Sequence, residues 1–128
     1  MKILVFENEF VAIENSFKYL DKKVFNEKLE VVNYPRSQNL SNTKDLLDFD
    51  LIIIDLDLSS QSKLDGYGLI RKIEKELGKK SPPILILTGQ EVPSNYVEAN
   101  NLSKKYEILE KPINFQQLAE SIKKSLNS

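Results

Sequence analysis

Four short stretches carry the side chains able to do chemistry: Glu7-Asn8-Glu9, Asp55-Leu56-Asp57, Thr88-Gly89 and Lys111-Pro112. Each follows a run of apolar residues, at 3–6, 51–54, 84–87 and, more weakly, 108–109. An acid, a hydroxyl or a lysine at the end of such a run is, taken singly, most simply a turn residue. Taken together at one edge, they are the groups needed to handle a phosphoryl group. A carboxylate can act as nucleophile, and Asp55 ends the most apolar run. Clustered carboxylates repel one another unless a cation sits among them, and a hard oxygen site that keeps some water suits Mg²⁺. The metal would bridge Asp55 and the incoming phosphoryl oxygens, with Lys111 as a point charge and the Thr88 hydroxyl as a donor to another of those oxygens. Gly89 has no side chain to block the approach.

The elements that must position these groups are legible in the same runs. With a further run at 29–32 they read as five strands, and their continuous apolarity, without alternation, marks a parallel sheet covered on both faces. Helical spacing appears between them: Phe10, Ile13, Phe17, Leu20 and Val24 in the first segment, Leu69, Ile70, Ile73 and Leu77 in the third, and Phe115, Leu118, Ile122 and Leu126 in the last. The segments near 41–48 and 92–104 are expected to be the second and fourth helices, with less regular spacing. Alternating strand and helix with right-handed crossovers predicts a three-layer α/β sandwich, a (βα)5 unit over residues 1–128. Pro35 and Pro82-Pro83 punctuate the second and fourth strands. In such sheets ligands bind beyond the carboxyl ends of the strands, which is where the four stretches fall.

Composition narrows the chemistry further. With no Cys and no His, the chain has no disulfide, thiolate nucleophile, zinc finger or imidazole acid/base. A formal charge of −1 provides no bulk attraction to nucleic acid or anionic lipid, and there is no room for a helix-turn-helix after the last helix. Neither nucleic-acid nor membrane binding is expected. The short apolar run at the N-terminus, interrupted by Glu7, is neither a signal peptide nor a membrane span, so a cytoplasmic location is expected.

In their order and spacing the motifs resemble the response-regulator receiver family of two-component signalling. Ile3-Leu4-Val5-Phe6-Glu7-Asn8-Glu9 is similar to its first strand and acidic pair, and 50–58 followed by Asp65-Gly66-Tyr67 to its phosphoacceptor strand and the opening of its third helix. Ile84-Leu85-Ile86-Leu87-Thr88-Gly89 and Glu110-Lys111-Pro112 match its hydroxyl and Lys-Pro positions. The resemblance implies a flavodoxin-like fold with strand order 2-1-3-4-5, for which receiver proteins are a standing example. It implies that Asp55 accepts a phosphoryl group from a sensor His kinase or His phosphotransfer protein. The Mg²⁺ ligands would be Glu7, Asn8, Asp55 and the Asp57 backbone carbonyl, while Thr88 and Lys111 serve as switch hydroxyl and phosphate-binding amine. A downstream effector protein as partner, a monomer or phosphorylation-dependent homodimer, and a cis Lys111-Pro112 bond also follow. The domain would be a phosphoacceptor that assists its own phosphorylation and dephosphorylation, not an enzyme acting on other molecules.

The chain departs from that pattern in three places. Asn8 stands where a second acid is usual and removes one charge from the metal site. The loop 59–64 is longer than usual and reads as a mobile, solvated turn, not a binding element. Ile108 replaces the usual switch aromatic, and Tyr106, two residues earlier, is given no switch role. Two alternatives compete. Residues 52–59 also resemble the Asp-x-Asp-x-Thr/Ser motif of haloacid-dehalogenase phosphatases, with Asp55 as nucleophile and Asp57 as acid, but the only acid after Lys111 is Glu120, in an amphipathic stretch. The other alternative, suggested by Asn8, is a degenerate receiver that acts as a phosphorylation-independent interaction module.

Overall fold

The computed structural model describes residues 1–127. Five parallel strands, β1 (Lys2–Phe6), β2 (Glu30–Tyr34), β3 (Leu51–Asp55), β4 (Ile84–Thr88) and β5 (Glu107–Glu110), form one sheet in the order β2-β1-β3-β4-β5. Every residue of β3 and β4 is buried, because strand side chains alternate between two covered faces. Leu4, Phe6, Ile52, Ile54 and Ile86 point into one apolar cluster, and Ile3, Val5, Ile53, Leu85 and Leu87 into the other. Each such side chain contributes roughly 1.5–3 kcal/mol on burial, which is why the central strands fix the frame.

Helix α1 (Glu14–Val24) and the carboxyl-terminal helix cover the second cluster, while α2 (Gly66–Leu77) and α3 (Tyr96–Ala99) cover the first. The carboxyl-terminal helix is α4 (Phe115–Leu126). Two of these helices start where the sequence offers a side-chain cap. Asp65 accepts a hydrogen bond from the Gly68 amide at 2.7 Å, and Asn114 accepts one from the Gln117 amide at 2.9 Å.

Two crossovers differ from the expected helices. The second is built from 3₁₀ turns, Ser37–Asn39 and Thr43–Asp48, with no α-helix. Its only apolar anchor within the longer turn is Leu46, since Leu47 is 47% exposed, and one buried contact does not fix a helical face. The fourth keeps a single helical turn, Tyr96–Ala99, between Pro93-Ser94-Asn95 and Asn100-Asn101, the last with φ of +56°. In the first crossover, Phe10–Ala12 is a 3₁₀ turn that precedes α1.

The loop 59–64, expected as a solvated turn, is tied by hydrogen bonds to the loop after β2. The buried Ser37 hydroxyl accepts from the Leu64 amide at 2.9 Å, and the Ser37 amide donates to Ser62 Oγ at 2.9 Å. The Gln38 side chain donates to the Gln61 carbonyl at 2.8 Å and accepts from the Lys63 amide at 2.9 Å. Side chains of the neighbouring loop, Ser37 and Gln38, therefore satisfy backbone groups of this one, and Ser62 returns one such bond to the Ser37 amide.

Where β3 hands over to α2, the helix start passes so close to the strand end that a Cβ on Gly66 would stand 2.4 Å from the Asp55 carbonyl oxygen and 2.4 Å from Leu56 Cα. Both obstacles are backbone and cannot swing aside. Gly66→Ala is therefore expected to cost about 1–3 kcal/mol, through a shift at the site-bearing strand end. The measurement is a urea midpoint, and an unchanged midpoint would mean that the strand end yields freely.

Candidate functional site

At the carboxyl edge of the sheet, β1, β3 and β5 deliver Glu7, Asp55 and Lys111 to one point. Lys111 Nζ donates to Glu7 Oε2 at 2.9 Å and to Asp55 Oδ2 at 2.9 Å. Glu7 is 1% exposed and Asp55 2%, so both carboxylates lie inside the protein with one ammonium between them. Burial, together with a hydrogen bond to Asp55, pushes the Glu7 carboxyl up to about 7. Burial also acts upward on Asp55, but the hydrogen bonds from Glu7, Lys111 and the Asp57 amide outweigh it and hold Asp55 below the usual carboxylate range. Lys111 is held above its usual value, because its hydrogen bonds to Asp55 and Glu7 outweigh its own burial. The pair therefore keeps one ionised oxygen set on Asp55 and can carry a proton on Glu7.

The other expected site residues lie around this triad. Thr88 is buried on β4, and the backbone ties it to the lysine, since the Lys111 amide donates to the Thr88 carbonyl at 2.8 Å. Its hydroxyl donates to the Gln90 carbonyl at 3.0 Å and accepts from the Gln90 amide at 3.1 Å, which turns it toward its own loop. The Asp57 amide donates to Asp55 Oδ1 at 2.9 Å, while the Asp57 residue itself is exposed. Asn8 is also exposed and faces a neighbouring polar cavity. The Lys111-Pro112 bond is cis, as the resemblance implies.

Among the described residues no group of three or more acidic side chains comes together. The side-chain and backbone acceptors near Asp55 are nevertheless all hard oxygens, and whenever Glu7 is ionised the two buried carboxylates face one ammonium with a negative charge left over. That fits Mg²⁺, which needs only one or two protein carboxylates and keeps its water. Glu7, Asp55 and the Asp57 carbonyl could hold it.

Two features escaped the sequence reading. Gly66 was legible only as half of an Asp-Gly helix opening, and its contact with the Asp55 carbonyl is a property of the packed chain. Arg36, just beyond β2, also stands at the functional edge, and its position after a strand end was the available signal. Tyr106 precedes β5 and packs in the same cluster as Ile108, but its hydroxyl is taken up by Glu74 Oε2 of α2 at 2.5 Å.

The chain matches the response regulator receiver domain family over residues 3–123 and belongs to it. It is thus a receiver domain of the two-component systems. Its structure is similar to the BeF3-activated receiver domain of RstA from Klebsiella pneumoniae, with a TM-score of 0.71, 21% identity and 100% of each chain covered. It is also similar to the chemotaxis response regulator CheY4 of Vibrio cholerae, with a TM-score of 0.72, 20% identity and 98% of each chain covered. A third is the receiver domain of the sensor histidine kinase PA1611 from Pseudomonas aeruginosa, solved with magnesium in its active-site cleft, with a TM-score of 0.70, 19% identity and 99% and 98% of the two chains covered. No curated protein shows significant sequence similarity to the chain. Neither the phosphatase reading nor the degenerate-receiver reading is favoured.

Proposed function

We propose that Asp55 is the phosphoacceptor of a Mg²⁺-assisted phosphorelay receiver that changes its protein contacts when phosphorylated. The observation that carries this is the triad: a buried carboxylate held ionised, with the half-buried Lys111 ammonium at 2.9 Å, at the carboxyl edge of a parallel sheet. An ionised Asp55 oxygen attacks the phosphorus of a phosphohistidine on a sensor kinase or phosphotransfer protein. The new P–O bond forms as the P–N bond breaks, and its electron pair returns to the donor imidazole. Lys111 is already placed to accompany the charge that arrives with the phosphoryl oxygens. Bound Mg²⁺ would neutralise those oxygens during transfer. The domain acts on itself and is not an enzyme with turnover on other substrates.

For switching, the Thr88 hydroxyl would exchange its Gln90 partner for a phosphoryl oxygen, which redraws the 89–90 loop and biases α3, β5 and α4 between two arrangements. An effector protein would read that difference, as a monomer or through a homodimer. No helix is long and apolar enough to cross a membrane among the described residues. A cytoplasmic setting, where kinase and phosphodonors are found, is part of the same proposal.

The test is intact mass after incubation with a small phosphodonor and Mg²⁺. One phosphoryl adduct is expected on the parent and none on Asp55→Asn. An adduct that survives Asp55→Asn and disappears in Asp57→Asn would move the acceptor. No adduct on the parent under any donor would favour the phosphorylation-independent interaction module.

A further inference from the structure

Beyond the ends of β1, β2 and β3, reached from the triad through Asn8, the residue after Glu7, lies a separate concavity of about 470 Å³. Its polar lining is Asn8, Arg36, Asn39, Ser59, Ser60 and Gln61, and no Asp or Glu lines it. With strand order β2-β1-β3, the sheet reverses direction of growth between β1 and β3, and this is the crevice in which open α/β sheets take ligands. The walls are fixed, because the loops after β2 and β3 are pinned to each other through Ser37, Gln38, Gln61 and Ser62.

Arg36 is held in place from both sides. Its backbone amide donates to Asn39 Oδ1 at 2.9 Å and its guanidinium donates to Gln61 Oε1. Among the described residues it has no carboxylate partner; the ion pairs present involve Lys2, Lys18 and Lys111. A guanidinium has five N–H donors, and one bond to a neutral amide leaves most of them, and the whole positive charge, for a ligand. Asn8 matters here as well. An acid at that position would face Arg36 across the cavity and repel an anion, whereas the amide adds a donor.

We propose that this cavity is a second anion site for a small phosphate group, with Arg36 as its recognition residue. Its use, to hold a low-mass phosphodonor next to Asp55, rests on the phosphoacceptor reading above. The binding itself does not.

Inorganic phosphate is the probe, titrated without metal at constant ionic strength and followed by backbone amide shifts. Saturable shifts are expected at residues 8, 36, 39 and 59–61. Arg36→Gln should raise the Kd at least about five-fold and Asn8→Asp should also weaken binding, since each makes the exposed site one charge more negative, while Arg36→Lys, which keeps the charge and loses only the guanidinium fork, should weaken it less. Asp55→Asn should bind as the parent does. An unchanged Kd in Arg36→Gln, no saturable shift at these amides, or loss of binding in Asp55→Asn would each overturn the proposal, the last by placing the phosphate at the acceptor. If phosphate binds through Arg36 but no donor labels Asp55, the phosphoacceptor reading fails and this site stands. Labelling without these shifts gives the converse.

Discussion

Lys111→Met is expected to destabilise the domain by about 3–5 kcal/mol near pH 8 and by much less near pH 5. The substitution keeps the aliphatic stem and removes only the ammonium that lies 2.9 Å from both Glu7 and Asp55. Two carboxylates that are 1% and 2% exposed then face each other with no cation, and an uncompensated buried charge is the costly result of removing one partner. A proton offers a substitute. Glu7, which already titrates at about 7, would take one up more readily still without the lysine, so acid should restore most of the loss. Chemical denaturation of parent and variant at both pH values measures this. Equal penalties at the two values would mean that the lysine acts through packing alone.

The parent itself should lose stability between about pH 5 and pH 8 when metal-free, by roughly 2–3 kcal/mol. Glu7 is raised from 4.5 to about 7, so the folded state holds a proton that the unfolded chain has released. Its contribution is fully present below pH 4.5 and is lost as the pH rises through about 7. Asp55 works in the opposite sense and in another window. It is lowered from 3.8, so its contribution is present above that value and is lost only in stronger acid. Lys111 is raised from 10.5 and stays charged throughout the interval. Mg²⁺ competes with the proton for the same oxygens, so stabilisation by millimolar Mg²⁺ should grow as the pH rises. Thermal unfolding with chelator and with Mg²⁺ across this range checks both statements. A flat metal-free profile would contradict the shared proton, and a Mg²⁺ effect that shrinks with pH would place the ion elsewhere.

The parts of this molecule that were legible in the sequence are those where one residue type serves one purpose. The run 51–54 could only be a strand buried on both faces, and Asp55, Lys111 and Glu7 were found because charged groups that end such runs have one edge to share. The parts that were not legible depend on partners distant in sequence. Ser37 reads as an ordinary loop serine until the chain brings Ser62 and Leu64 to it, and the composition of 59–64 is the same whether the loop is solvated or pinned. The segment 41–48 has enough leucine to suggest a helix, yet which leucine is buried depends on packing. Asn8 was assigned by its place next to Glu7; in the folded chain it lies in the turn after β1, is exposed, and lines the polar cavity beyond the strand ends, which its sequence position alone did not show.

The uneven crossovers also divide the domain into regions that open at different free-energy cost. The central strands β1, β3 and β4 sit between two apolar clusters, and their amides should exchange with solvent only when the whole domain unfolds. The fourth crossover has one helical turn, so the stretch from Gly89 to α3 can fray while the sheet stays intact. Its far end is moored, because the Glu74 carboxylate accepts from the Ser103 amide at 3.1 Å and from the Tyr106 hydroxyl at 2.5 Å. Asp55, at the end of β3, should thus belong to the slowest-exchanging part of the domain. The hydroxyl that would report its state borders one of the fastest, and the energy spent on rearrangement there need not be drawn from the core.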